Sequence, residues 1–392
     1  MDSLVLPASG ASVPDGAVAR LRRARAARLF SGLRAASPSS DPLLGALARI
    51  GRTSPEALAE LLGDPGIGVL FDTGRADRSL AVLAFELACR GTLGARRELP
   101  VQRLWSARLG LLLEPGADVA RLLLEDGSAL LVSQSGTTDR VPLSRDEAAE
   151  LPLGRLSAPF PEIREPIRFA LFDPNPLSSV EAHPDKQGNT LSLGERSQDE
   201  WLGALRSAFE VVERTLPELW DEMRLLLRYV LPTGAHEERQ QSASYREYVG
   251  ALYVTLHPQT LSTAEALIHE FQHNKLNLCA QHYPLIENAY TPLYPSPIRP
   301  DPRPLMGVLL AVHAFVPVAE FYARRLESEP GDARLAGRLA EVIAANDEGL
   351  RTLAEHARFE PAGAAIRTDL ERLHARHLAL GLALPERVAH VA

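Results

Sequence analysis

The chain has 392 residues, of which 45% are hydrophobic and 23% are charged. This composition excludes extended disorder, and the length predicts two cores, or one large domain with a satellite. The formal net charge of -8 excludes a broad cationic surface for nucleic acid, and we interpret the one basic run, from Arg20 to Arg28, as a solvated helix face.

The cysteines and the hydropathy pattern indicate the compartment. Cys89 and Cys279 are too few for a disulfide framework and lie in apolar, helical surroundings, which is typical of a reducing cytoplasm. The N-terminus lacks the apolar segment and cleavage site of a secretory signal, and no apolar run approaches the ~20 residues that span a bilayer. We therefore predict a cytoplasmic protein that binds neither a membrane nor nucleic acid.

The first 160 residues are predicted to form helices and then a small antiparallel sheet. Apolar periodicity broken by Gly and Pro predicts helices from residue 17 to about 98, one of them starting at Ser54-Pro55. From about 101 to 147, alternating apolar residues and the Asp126-Gly127 turn predict strands. This region has no catalytic pattern, and we interpret residues 1–160, by analogy, as a candidate peptide-binding module.

Residues 161–392 are predicted to form the metal-binding catalytic domain. Ser197 and Glu200 form a capping box before an amphipathic helix that Pro217 is expected to kink. A strand is predicted at 247–257, and the chain after residue 304 is predicted to be almost wholly helical. The fold class is therefore α+β and mainly helical, with a zincin-like strand and helix before a helical C-terminal region.

The helix of this second region carries an HExxH motif, from His269 to His273. Ser262 and Glu265 are expected to cap the helix. Residues four apart on a helix differ by only ~40° in direction, so both imidazoles face one point, as ligands of a divalent metal must. Glu270 lies on an adjacent face, where it can polarise a metal-bound water or hydrogen-bond to a ligand. We predict a metal site with both histidines as ligands.

A third ligand is expected, because two side chains rarely hold a metal. The extended protease pattern is excluded, since Leu276 and Cys279 stand where that pattern has glycine and histidine, and we interpret Cys279 as a small core residue. His313 is the better candidate, because Pro317 is expected to kink its helix and turn the side chain inward. Three histidines would suit zinc or ferrous iron. The competing donors are His282, Glu287 and Glu320.

The segment between the motif helix and the His313 helix is stiff and carries two arginines. Residues 291–304 include six prolines and form a candidate wall of a pocket. Arg299 and Arg303 are permanent cations that can bind a carboxylate bidentately. Pairing with a surface acid such as Asp301 is the alternative, so the pattern leaves both roles open.

Two further features surround the motif. Lys275 lies ~200° around the helix from His273, so it is predicted to pair with a carboxylate of the core. The strand at 247–257, with Ser242 and Ser244 before it, lies where HExxH folds commonly offer a strand edge to an extended peptide. Main-chain pairing at such an edge would bind a peptide with few demands on its sequence.

These segments resemble the HExxH-motif proteins that are encoded beside ribosomally made, post-translationally modified peptides. The resemblance rests on the motif His269-Glu-Phe-Gln-His-Asn-Lys-Leu, on Arg303-Pro-Leu, and on Gly307 to His313-Ala-Phe. It covers roughly residues 240 to 325. Members of the family are understood as iron- and 2-oxoglutarate-dependent peptide hydroxylases that act at β-carbons.

The resemblance implies a function and a ligand set for this chain. The expected activity is an Fe(II)/2-oxoglutarate-dependent hydroxylation of a ribosomally synthesised precursor peptide at a side-chain β-carbon. A zinc (Zn2+) metallopeptidase with Glu270 as general base is the alternative, and a non-catalytic peptide-binding scaffold is a third interpretation. The implied iron ligands are His269, His273 and His313, and the implied cations for the distal carboxylate of 2-oxoglutarate are Arg303 and Arg299.

Overall fold

The computed structural model describes residues 3–7, 16–38, 40–144, 146, 155–180, 182–183, 186–237, 241–295 and 301–389. Helices account for 52% of the structure and strands for 16%, with small antiparallel sheets in the N-terminal half and a helical C-terminal region. The predicted α+β class is therefore confirmed.

Five helices form the first part of the chain, and a proline starts three of them. Asp41, Ser54 and Asp64 each accept a hydrogen bond from a backbone N–H of the first turn, directly before a proline at the first helical position. The predicted start at Ser54-Pro55 is therefore confirmed. The helices are α1 (Ala17–Ala35), α2 (Pro42–Thr53), α3 (Pro55–Leu61), α4 (Pro65–Asp72) and α5 (Ala76–Cys89).

The basic run of α1 does not form a solvated face. Arg25 is only 3% exposed. Arg28 pairs with Asp72 at 2.9 Å, and Arg23 pairs with Glu56 at 2.7 Å. Our prediction was wrong because α1 packs against α3 and α4, which buries Arg25 and half-buries the other arginines of the run except the exposed Arg20.

Two small antiparallel sheets follow the helices, where one sheet was predicted. The turn at Asp126-Gly127 forms the predicted hairpin, and Gly127 has a φ of 74°, which glycine adopts without strain. The strands are β1 (Arg97–Leu99), β2 (Leu104–Ser106), β3 (Leu111–Leu113), β4 (Val119–Glu125), β5 (Ser128–Ser133), β6 (Thr138–Pro142) and β7 (Leu156–Ser157). One sheet has the order β1-β4-β5-β6 and the other β2-β3-β7.

A five-stranded mixed sheet follows. Its strands are β8 (Glu162–Arg164), β9 (Ile167–Phe169), β12 (Tyr229–Ala235), β13 (Ser242–Ala243) and β14 (Ala251–Leu256), in the order β13-β14-β12-β9-β8. The short strands β10 (Ala182–His183) and β11 (Lys186–Gln187) pair separately. The strand predicted at 247–257 is β14, which lies between β12 and β13. Among the described strands, the edge on this side is therefore β13 and not the predicted strand itself.

Alternate residues of this mixed sheet pack into two cores. Tyr229, Leu231 and Tyr253 belong to the N-terminal core, which we define as the buried residues of α2 to α5 and the small sheets together with these side chains. Val230 and Leu252 belong to the motif-side core, formed with the helices after residue 197. The buried residues 4–6 also belong to the motif-side core, so both ends of the described chain pack there. The division into residues 1–160 and 161–392 stays a prediction.

Six helices complete the fold. The capping box of Ser197 and Glu200 is confirmed, and Pro217 ends one helix and begins the next instead of kinking a single one. The prediction that the chain is helical after residue 304 is also confirmed. The helices are α6 (Gln198–Thr215), α7 (Pro217–Leu226), α8 (Thr260–Ala280), α9 (Leu305–Ser328), α10 (Ala333–His356) and α11 (Pro361–Ala389).

Helix α9 is long and apolar enough to cross a membrane by length and composition, contrary to our expectation that no run approaches that length. However, 72% of its most apolar window is buried inside the protein. The helix packs against α8 and α10. It is therefore buried in the way that a core helix of a soluble protein is buried.

Asp173 makes stability depend on pH. Its carboxylate accepts hydrogen bonds from the Tyr253 hydroxyl at 2.8 Å and from the Asn175 backbone N–H at 2.9 Å, and burial raises its pKa to about 6. Between about pH 4 and 6 the folded chain therefore holds a proton that the unfolded chain has released, so the free energy of unfolding falls as pH rises through this window, by up to about 3 kcal/mol.

We expect the variant Asp173→Asn to lose this pH dependence, because its amide does not titrate. Urea unfolding at pH 4.5 and pH 7.5 measures the effect. The difference in unfolding free energy between the two pH values should shrink by about 2–3 kcal/mol in the variant. An unchanged difference would show that another group is responsible.

Candidate metal centre

The HExxH motif lies in the middle of α8, which begins at Thr260. The expected cap by Ser262 and Glu265 is wrong, because the helix starts before Ser262 and its N-cap residue makes no side-chain hydrogen bond. The carboxylate of Glu265 instead accepts hydrogen bonds from the Tyr322 hydroxyl at 2.7 Å and from Arg338. The motif helix is therefore fixed by contacts with α9 and α10 and not by a local cap.

The two motif histidines meet on one face of α8. Their Nε2 atoms lie 2.8 Å apart, and the planes of the two rings are 89° apart. Neither Nδ1 has a hydrogen-bond partner among the described residues. Metal–nitrogen bonds of about 2.0–2.1 Å place two ligand nitrogens about 2.9 Å apart at 90° and about 3.3 Å apart at the tetrahedral angle. The two histidines can therefore bind one metal ion if the distance between their Nε2 atoms increases by up to a few tenths of an ångström.

Glu270 lies beside this pair. A carboxylate oxygen and the two histidine nitrogens all lie within 4.8 Å of one another. The side chain is buried at 3% exposure, and its Oε2 has no hydrogen-bond partner within the described ranges. A buried carboxylate without a donor is unfavourable unless a cation lies near it. The three residues therefore form a candidate site for a divalent cation, but the identity of the metal is not determined by this donor set.

The histidines are neutral at neutral pH. Burial lowers the pKa of His269 well below its usual value, and the charges of His273 and Arg338 lower it further. Burial also lowers the pKa of His273, and the negative charge of Glu270 opposes this effect only in part. The neutral imidazole is the form that binds metals, so no proton has to be displaced.

His313 is fully buried on α9 but lies outside the group of three. Its Nε2 donates to the Leu4 carbonyl at 2.9 Å, and burial lowers its pKa to about 3. The side chain of α9 that contacts His269 is Phe315, with ring centroids 4.6 Å apart. Phe315 and His313 are ~200° apart around the helix. The role of His313 as a metal ligand stays a prediction.

An N-terminal segment, residues 3–7, occupies the space beside His313. The Val5 carbonyl accepts hydrogen bonds from Gln272 Nε2 at 3.1 Å and from Lys275 Nζ at 3.2 Å. Lys275 also forms the predicted ion pair with a core carboxylate, which belongs to Glu222. The N-terminal segment therefore supplies acceptors to buried donors of both α8 and α9.

Removal of residues 1–7 is expected to destabilise the protein by roughly 3–9 kcal/mol, because Gln272, Lys275 and His313 each lose an acceptor worth about 1–3 kcal/mol when buried. Urea unfolding of the shortened chain measures this loss. The control is Val5→Ala, which keeps the carbonyls and should cost only about 2 kcal/mol. Equal costs for the two variants would mean that the carbonyls contribute little.

Two of the other donors considered for the third position, Glu287 and Glu320, have partners elsewhere. Glu287 pairs with Arg358 at 2.8 Å. Glu320 binds His377 and Arg324 at 2.9 Å each. Burial would raise its pKa, but these hydrogen bonds and the charges of Arg376 and His377 together outweigh burial and lower the pKa to about 2. The competing donors His282, Glu287 and Glu320 all lie outside the group of His269, Glu270 and His273.

The arginines predicted to bind a carboxylate are not placed at the metal centre by the described contacts. Arg303 lies in β16 (Arg303–Pro304), which pairs with β15 (Leu293–Tyr294), and its Nε is 2.9 Å from an Asp301 carboxylate oxygen. This is the pairing with a surface acid that the sequence left as the alternative. Arg299 lies outside the described residues, so its role stays a prediction.

Three residues around the site, Phe315, Tyr322 and Arg338, were missed from the sequence, and Glu265 was predicted in another role. Phe315 contacts His269, and the cluster of Glu265, Tyr322 and Arg338 ties α9 and α10 to α8 one turn before the motif. Glu265 lies four residues before His269, and residues four apart share a helix face. The sequence therefore indicated that Glu265 lies on the same face as the motif. Arg338 is far away in the sequence and carried no such signal.

Comparison with known proteins gives no family for this chain. No protein-family model matches it, and no curated protein matches it. The resemblance to the HExxH peptide-modification proteins therefore stays a prediction, and the site is characterised by its own geometry.

Proposed function

We propose that the chain is an iron(II)- and 2-oxoglutarate-dependent hydroxylase that acts on a side-chain β-carbon of a ribosomally synthesised peptide. The observation that carries the metal role is the group of His269, Glu270 and His273, with its close Nε2 atoms and the Oε2 of the buried Glu270 without a donor among the described residues. The choice of iron and 2-oxoglutarate is supported by the sequence resemblance over residues 240 to 325, because the donor set also suits zinc.

Each residue of the group has a distinct role in this proposal. His269 and His273 would hold the iron through Nε2. When bound, iron and 2-oxoglutarate would supply the chemistry that activates O2, the oxidant that converts a C–H bond to C–OH, with succinate and CO2 as the other products. Glu270 would complete the donor set or orient a bound ligand by a hydrogen bond, and the ring of Phe315 would exclude water from the side of His269.

Glu270 and His313 are alternative third ligands, and metal content separates them. If Glu270 is the ligand, Glu270→Gln should lose iron after anaerobic purification while His313→Ala keeps it. If His313 is the ligand, the opposite is expected, and His313 must exchange the Leu4 carbonyl for the metal. A wild-type chain that retains no divalent metal would favour a non-catalytic peptide-binding scaffold.

A zinc metallopeptidase is the second candidate function. The observation that favours it is the position of Glu270, whose buried carboxylate lies beside both histidines without a donor among the described residues. A carboxylate in this position can take the proton of a metal-bound water, as a general base does in hydrolysis. In that case Glu270→Gln would abolish turnover while metal binding persists.

Mass spectrometry of a peptide product tests the two functions directly. A candidate ribosomally synthesised precursor peptide is incubated with the iron-loaded enzyme, 2-oxoglutarate and oxygen. The proposal expects a peptide heavier by one oxygen atom and one succinate for each product formed. Cleavage of the peptide without 2-oxoglutarate would overturn the proposal and establish the peptidase. We place this reaction in the cytoplasm, where such a peptide is made.

A further inference from the structure

A cavity of about 160 Å³ lies in the N-terminal core, on the face of the mixed sheet opposite the motif helix. Its walls come from α3, α4 and α5 and from residues next to β9 and β12. Leu61, Ile67 and Val82 form an apolar part, next to the ring of Trp105. A cavity of about 150 Å³ holds a molecule the size of benzene, so this one has room for a small organic ligand.

Three of the acids that line this cavity have donors of their own, and the fourth, Glu165, is exposed to solvent. Glu86 pairs with Arg90, and Glu60 pairs with Arg108. Asp64 accepts hydrogen bonds from the Tyr229 hydroxyl at 2.5 Å and from two backbone N–H groups. These acids are therefore already satisfied within the protein and do not require a cationic ligand.

Arg228 is different, because it forms no ion pair with a carboxylate of the described residues. Its Nη1 donates only to the carbonyls of Arg224 and Leu227. Burial lowers the pKa of Arg228 to about 10 and the charge of Arg22 lowers it further, while the charges of Glu60 and Asp64 oppose this in part. The half-buried guanidinium is still charged at neutral pH, so it can make charge-assisted hydrogen bonds to an anion that enters the cavity.

Trp105 adds a second donor. It is 5% exposed, and its Nε1 has no hydrogen-bond partner in the described part of the chain, although it lies near enough to the Tyr229 hydroxyl to lower that group's pKa. The cavity thus combines a half-buried cation, a buried N–H group and an apolar wall. An anion with an apolar body satisfies all three.

We propose that this cavity binds a small organic carboxylate, with the carboxylate on Arg228 and the apolar body against Trp105 and the aliphatic wall. The ligand is either a free small molecule or the carboxyl end of a peptide, since both present the same chemistry. The site is separate from the metal centre and does not depend on the proposed hydroxylase activity.

Calorimetric titration of the full-length chain with benzoate tests the proposal, with benzamide as the uncharged probe of the same shape. Benzoate should bind once per chain, and benzamide should bind roughly tenfold to hundredfold more weakly, because it lacks the charge-assisted hydrogen bonds. Treatment with a chelator should leave benzoate binding unchanged. Absence of saturable benzoate binding, or equal binding of the two probes, would overturn the proposal.

Variants locate the site. Arg228→Gln should weaken benzoate binding by at least roughly tenfold, whereas Arg351→Gln, an exposed arginine on α10, should leave it unchanged. Trp105→Phe keeps the ring and removes the N–H, so it should weaken binding severalfold even if Arg228→Gln does not fold. Unchanged affinity in Trp105→Phe would count against the site. A peptide ending in a free leucine carboxylate, compared with its amide, then distinguishes a peptide end from a free molecule.

Discussion

Replacing His273 with alanine is expected to lower the affinity for iron by at least about a hundredfold and to abolish turnover. Loss of a residue that only hydrogen-bonds to a metal ligand already costs roughly 10- to 100-fold, so loss of a ligand itself should cost more. The two Nε2 atoms lie 2.8 Å apart, close enough to bind one metal ion together. In the variant, His269 supplies only one of these two nitrogens. Metal analysis after anaerobic dialysis measures the effect, together with succinate formation.

The matched control for this variant is His236→Ala. His236 is an exposed histidine at the end of β12, and its described hydrogen bond uses the backbone N–H and not the ring. The control should keep wild-type metal content and turnover. Wild-type iron content in His273→Ala would contradict the assignment of the site.

The variant Lys275→Met is expected to lose about 3–5 kcal/mol of unfolding free energy, because it leaves the Glu222 carboxylate buried without its cation. Lys275 is 0% exposed and its Nζ lies 2.5 Å from Glu222. Burial raises the pKa of Glu222 against the opposing charge of Lys275, which shows how poorly this carboxylate is solvated. Urea unfolding at neutral pH measures the loss.

The double variant Lys275→Met with Glu222→Met separates an unpaired charge from lost packing. Two apolar side chains of similar volume remove the buried charge, so most of the lost stability should return. The Val5 carbonyl would still accept a hydrogen bond from Gln272 in this variant. If the double variant is as unstable as Lys275→Met, the cost comes from packing and not from the charge on Glu222.

Local patterns predicted the elements of the fold well. Ser54-Pro55 and Ser197 with Glu200 begin helices because a side-chain oxygen and a nearby backbone N–H satisfy each other over a few residues. The same reasoning failed for Glu265, whose carboxylate binds Arg338 of another helix. A cap is visible in the sequence only when no distant residue competes for the same side chain.

The candidate site could be predicted only where one helix carries it. His269, Glu270 and His273 meet because the helix repeat brings them together, and Lys275 was correctly predicted to face a core carboxylate. The position of His313 depends on how α9 packs against α8 and on residues 3–7, whose carbonyls compete for its ring. Neither contact leaves a periodic signal in the sequence, because each joins residues that are far apart along the chain.

The most direct test of the metal centre proposed here is an anaerobic titration of 2-oxoglutarate into the iron-loaded chain, followed by calorimetry. We expect one 2-oxoglutarate bound per iron in the wild type, and no binding to metal-free protein or to His273→Ala. The contrary result is an iron-loaded chain that does not bind 2-oxoglutarate, while the zinc-loaded chain hydrolyses the peptide. That outcome would leave the group of His269, Glu270 and His273 as the centre of a peptidase.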